Sequence, residues 1–149
     1  MRKIVFGAAL LSIALPLHAQ PGATASKAGP VTAEYYYRIK WGSAGEFKRL
    51  YERNHAPIMR EMQKQGFVTS MEIKEPFTHL AGAPRGDLRV TASFPEAASA
   101  IVVGGAFDKA FAAAQARLYP DKSKFEAEEA RRFSLLEEHW DVIVTPVGE

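Results

Sequence analysis

The order in which the apolar residues change period constrains this chain most. Over 31–41 they alternate: Tyr35, Tyr37, Ile39 and Trp41 share one side, and Glu34, Tyr36, Arg38 and Lys40 share the other. A period of two predicts a strand with one apolar face. Over 46–65 the period becomes helical, with Phe47, Leu50, Tyr51, Ile58 and Met62 on one stripe. Phe67, Thr69, Met71 and Ile73 then predict a second strand that Pro76 stops, and Leu88, Val90, Ala92 and Phe94 a third. An Ala-rich helical stretch follows over 97–118, with a break at Gly104-Gly105, and another helix follows Pro120. Trp140, Val142 and Val144 close the pattern as a last strand.

The resulting order, β-α-β-β-α-α-β, is two βαβ-like halves joined through a central connection. It predicts an α+β, ferredoxin-like split βαβ fold, a four-stranded antiparallel sheet with helices on one face. Ser43-Ala-Gly-Glu46 and Ser123-Lys-Phe-Glu126 read as capping boxes, and Gly66 as a helix stop. Glu128 and Arg132 read as an i,i+4 pair on a solvated face. The second sheet face is expected to carry Tyr36, Arg38, Ser70, Glu72, Arg89, Thr91, His139, Asp141 and Ile143. That mixture is too polar for a monomer core and suits a second copy of the sheet, with opposite charges paired across a homodimer interface.

One helix contradicts its own stripe. Asn54 falls in the middle of the apolar face, His55 on its edge, and Pro57 two residues later. A buried amide costs free energy unless partnered. Proline in a helix interior removes the donor to the Arg53 carbonyl and costs about 3 kcal/mol. Three such residues in a row of four point to a local purpose. Histidine is a general acid/base near neutral pH, and an asparagine amide can orient a carbonyl or stabilise an oxyanion. The structural alternative is that Asn54 satisfies the carbonyl freed by Pro57 while His55 hydrogen-bonds locally.

The amino terminus has the layout of a secretory signal peptide over 1–19: a basic Met1-Arg2-Lys3, an apolar run from Ile4 to Leu17, and a small residue at Ala19. The run is too short for a span of about 20 residues. A Gly-, Ala-, Ser- and Pro-rich leader follows over 20–30, then one domain over 31–147. The expected location is the periplasm or the outside, with no membrane partner after cleavage. Without Arg2 and Lys3 the basic residues fall from 19 to 17 and equal the 17 acidic ones, so no basic stripe is left to track nucleic acid. The chain has no cysteine, which excludes disulfides, thiolate catalysis and c-type haem attachment. No pair of histidines has helical metal-site spacing, and there is no nucleotide-binding or Gly-x-Ser-x-Gly motif, so no metal and no cofactor is expected, with haem held through a single histidine left open.

The run Phe47-x-x-Leu50-Tyr51-x-x-Asn54-His55-x-Pro57-Ile58-Met59, followed by Gly66-Phe67, resembles the first helix and second strand of dimeric α/β-barrel proteins. It is most similar to EthD-like and antibiotic-biosynthesis-monooxygenase-like domains. The resemblance implies a barrel of two face-to-face sheets, ligands entering between helices and sheet, and in some members cofactor-independent oxygenation or isomerisation. It carries over one residue by motif, His55, as an acid/base. Asn54 is the candidate oxyanion or orienting group. Tyr51, Tyr37, Trp41 and His79 are the candidate ligand-binding residues. The expected function is binding of a small apolar or aromatic molecule, with proton transfer, isomerisation or monooxygenation as an attached possibility. The alternative is a non-catalytic ligand-binding or interaction protein.

Overall fold

A computed structural model describes residues 29–78, 86–97 and 102–144. The expected signal peptide, nearly all of the expected leader, His79 and the end of the expected domain lie outside the described residues. Strand β1 (Val31–Ile39) leads to helix α1 (Ala44–Leu50), a π-helical turn (Tyr51–His55) and helix α2 (Ala56–Lys64). Strands β2 (Ser70–Lys74) and β3 (Leu88–Phe94) follow, then helices α3 (Ala106–Leu118) and α4 (Lys122–Ser134) and strand β4 (Leu136–Val144). The strands form one sheet in the order β2-β3-β1-β4, and every paired neighbour is antiparallel. This is the expected ferredoxin-like split βαβ arrangement.

The sheet buries the face that carries Ala33, Tyr37, Ile39, Leu88, Val90, Ala92 and Phe94. Phe47, Ile58 and Met62 are wholly buried against it from the helices. Burying such a side chain stabilises the fold by about 1.5–3 kcal/mol. Gly66 (φ +80°) ends α2 in the left-handed conformation, and Gly104 (φ +74°) precedes the start of α3, as the sequence predicts.

Local details differ from the sequence reading. The 46–65 stretch is not one α-helix, because the π turn interrupts it. Ser43 makes no side-chain cap, and Glu46 instead accepts two hydrogen bonds from Arg131 at 2.8 Å. Helix α4 starts one residue before Ser123, and its cap is Asp121, which accepts from the Lys124 N–H at 3.0 Å. Arg132 is not on a solvated face: it is 2 % exposed. Strand β1 ends at Ile39, so Trp41 lies beyond it and is 68 % exposed.

The largest correction concerns β4. Tyr37 stands opposite His139, Tyr35 opposite Asp141 and Ala33 opposite Ile143. Directly paired residues share a face, so His139, Asp141 and Ile143 lie on the helix side. Trp140, Val142 and Val144 lie on the outer side with Tyr36. Trp140 stacks on Tyr36 there, with centroids 5.4 Å apart and planes within 7°. A register shift at Arg38/Ile39 inserts an extra residue into β4, which lets Leu136 reach Ile39 before the alternation resumes. The outer-face charges are matched within the chain: Arg38 with Glu138 at 3.0 Å, Lys74 with Glu72 at 2.6 Å and Arg89 with Glu34 at 4.0 Å.

Candidate functional site

The π turn sets the geometry of the site. Its closing bond runs from the Ala56 N–H to the Tyr51 carbonyl, one residue wider than an α turn. Pro57 then sits in the first turn of α2, where a missing N–H is tolerated. His55 lies toward the sheet and α3, whereas Asn54 lies toward α4.

His55 opens on a cavity of about 120 Å³ lined by Tyr35, Tyr37, Tyr51, His55, Met59, Val90, Phe107 and Phe111. The His55 ring is 5.1 Å from Tyr51 and 5.8 Å from Phe111. His55 itself is partly buried. Desolvation, reinforced by the positive charge of Arg132, pushes its pKa down to about 4, so the imidazole is neutral at pH 7. A neutral imidazole offers one donor and one acceptor.

Tyr51 supplies the second polar group. It is 1 % exposed, and its hydroxyl has no hydrogen-bond partner among the described residues. Leaving such a group unsatisfied costs about 1–3 kcal/mol. Burial raises the Tyr51 pKa and pushes that of Tyr37 up to about 12, so both phenols stay protonated. Tyr37 packs on the site from the sheet and is stacked by His139, with centroids 4.3 Å apart. The Nδ1 of His139 lies 2.9 Å from the Tyr36 carbonyl, an acceptor, so Nδ1 carries the proton.

Of the residues singled out in the sequence, the structure brings together His55, Tyr51 and Tyr37. Asn54 is 1 % exposed and donates through Nδ2 to Glu128 Oε2 at 3.1 Å. It faces a separate hollow of about 220 Å³ that includes Tyr119, Phe125 and Glu128. Nor does Asn54 serve the carbonyl freed by Pro57: the Tyr119 hydroxyl donates to that Arg53 oxygen at 2.6 Å. Trp41 lines a different surface hollow of about 290 Å³ with Phe77 and Lys40. That hollow is larger, but its aromatic walls are exposed. Tyr51 also lines a hollow of about 250 Å³ with Lys48, Ile73 and Leu88, but only the smaller cavity brings it together with His55 and Tyr37.

Phe107 and Phe111 were not singled out, and Met59 entered only as part of the quoted run. Phe107 and Phe111 are four apart in an Ala-rich helix, which is a usable signal for a ligand-facing or core-facing stripe. Arg132 follows Phe125 by seven positions, on the same buried stripe of α4.

No protein-family model and no curated protein sequence matches the chain. Solved structures with a similar chain path include a dabb family protein with a ferredoxin-like fold from Mesorhizobium loti. It is 13 % identical with a TM-score of 0.45, covering 80 % of this chain and 99 % of that one. A dimeric ferredoxin-like protein of unknown function from Jannaschia is 9 % identical with a TM-score of 0.46, covering 79 % and 100 %. A cofactor-independent oxygenase from Streptomyces nogalater is 15 % identical with a TM-score of 0.40, covering 82 % and 97 %. Each is a likeness in the course of the chain, not in its chemistry.

Proposed function

We propose that this protein binds a single-ring aromatic or compact apolar molecule that carries a hydrogen-bond acceptor. The observation that carries this reading is the buried, unpartnered Tyr51 hydroxyl beside a neutral His55 in a cavity otherwise lined by aromatic and aliphatic groups. A closed apolar cavity of about 150 Å³ holds benzene; this cavity of about 120 Å³ is open at its mouth, so it suits one ring with its oxygen directed inward and any further substituent outside. An oxygen on that ring would take the Tyr51 proton and relieve the desolvation cost the free protein bears. His55 would supply a second donor or acceptor.

The catalytic reading, cofactor-free proton transfer, isomerisation or oxygenation with His55 as acid/base, is favoured by one feature, the imidazole in the same cavity as the ligand. Its pKa of about 4 makes it a weak base at neutral pH. Hydrogen bonding is therefore the better-supported role, and proton transfer requires that the ligand's own charge restore the basicity. Export and homodimerisation belong to the same proposal. The first is supported by the signal-peptide pattern and the second by the apolar outer strip of Tyr36, Trp140, Val142 and Val144. Among the described residues no helix is long and apolar enough to cross a membrane.

The test is fluorine NMR of 4-fluorophenol titrated into the mature protein. Saturable binding that Tyr51→Phe weakens about tenfold, the loss of about 1.4 kcal/mol, is expected. Absence of saturation with phenols and with uncharged single-ring ketones at millimolar concentration would sink the binding reading.

A further inference from the structure

The outer side of the π turn is gripped by α4 and by Tyr119, the residue that ends α3. Pro57 lacks an N–H, so the Arg53 carbonyl has lost its α-helical donor, and the Tyr119 hydroxyl takes that place at 2.6 Å. Glu128 divides its carboxylate between two successive residues of the turn. Its Oε1 accepts from Arg53 Nη2 at 2.9 Å, and its Oε2 accepts from Asn54 Nδ2 at 3.1 Å. Arg132, held by Glu129 through contacts of 3.0 and 2.6 Å, places its guanidinium 5.7 Å from the Tyr51 ring. Tyr51, Arg53 and Asn54 are thus each engaged from the α4 side, and His55 is left to the cavity.

A π turn is rare and persists where its surroundings stabilise it. If this one relaxed to α geometry, the side chains on either side of it would shift register by one residue, about 100° around the axis. We propose that Tyr119 and Glu128 are positioning residues that hold the wide turn and thereby direct His55 into the aromatic cavity. Helix α4 then governs ligand binding without touching ligand. This rests on reading the cavity as the binding site, but its first test needs no ligand.

The experiment follows the His55 imidazole by NMR titration in the unliganded mature protein and in Tyr119→Phe and Glu128→Ala. In both variants the midpoint is expected to rise from about 4 toward the ordinary value of 6.5, a tenfold or greater gain in proton affinity. A merely structural contact on the far side of the helix would not move it. Pro57→Ala restores the N–H at position 57. Tyr119→Phe should therefore shift the unfolding equilibrium about fivefold in the parent and hardly at all in the Pro57→Ala background. An unmoved His55 titration in the folded variants overturns the positioning role, and if one variant does not fold the other decides. Binding of 4-fluorophenol to the parent separates the two ideas. Binding with an unmoved titration leaves only the binding reading standing. A moved titration without binding supports the positioning role and sinks the other.

Discussion

Asn54 and His55 are adjacent in sequence and look out on different parts of the molecule. A single helical wheel treats both as candidates for one site, because it assumes one rotation per residue. The π turn breaks that assumption by shifting the register of the residues on its two sides, and the neighbours, about 100° apart, divide: Asn54 goes to Glu128 while His55 goes to the cavity. The state of His55 has a consequence for stability. Its folded pKa, about 4, lies below the ordinary 6.5, so between these values the unfolded chain binds the proton more readily. Stability should therefore fall as pH drops from 6.5 to 4, and level off below 4. A shift of this size corresponds to roughly 3 kcal/mol at most. Urea titrations across this range should show the decline in the parent and a flatter profile in His55→Gln. Tyr51→Phe makes the opposite kind of test. It removes a hydroxyl that has no partner, so unliganded stability should hold or rise by about 1 kcal/mol even as ligand affinity falls. A clear loss of stability in that variant would mean that the hydroxyl is hydrogen-bonded in the free protein.

At the scale of elements, α4 does more than cover the sheet. Its buried stripe runs from Phe125 to Arg132, and the guanidinium lies 5.7 Å from the Phe47 and Tyr51 rings and 4.4 Å from Phe133. Arg132→Ala would remove that packing and leave Glu129 without its cation. The expected loss is about 3 kcal/mol by chemical denaturation. Arg132→Met together with Glu129→Gln should recover much of it, since filling the volume matters more than the charge. The stop at Gly66 gives a cleaner case. A Cβ there would meet no atom within 4 Å, so only the backbone conformation at φ +80° opposes a side chain. Gly66→Ala should cost about 1 kcal/mol, and a larger loss would point to steric contact instead.

For the whole molecule, the outer sheet face is the surface on which the proposed assembly rests. It is less polar than the sequence reading supposed, because β4 turns Trp140, Val142 and Val144 outward and His139, Asp141 and Ile143 toward the helices. The charges of that face pair within the chain, so a second copy would meet an apolar strip beside Tyr36 and not a set of unmatched ions. Val142 is 43 % exposed at its centre. Val142→Glu should convert a homodimer to a monomer in light scattering at micromolar concentration, with unchanged circular dichroism. A parent protein that is already monomeric would remove the dimer from the proposal.

The sequence by itself determined the element order and the α+β, ferredoxin-like fold, because periods of two and 3.6 are written into local runs such as Tyr35-Tyr37-Ile39 and Leu88-Val90-Ala92-Phe94. It also marked His55, Tyr51 and Tyr37, whose residue types and stripe positions place them between helix and sheet. Only the tertiary structure decided which neighbours those residues meet. The π turn depends on contacts made by Tyr119, Glu128 and Arg132, which lie more than 60 positions away along the chain and carry no local signature of that role. The facing of β4 likewise depends on one inserted residue, which Ile39 and Leu136 settle by meeting in the core. Local periodicity fixes what an element is. Long-range pairing fixes which way it faces, and in this protein the candidate site depends on the second.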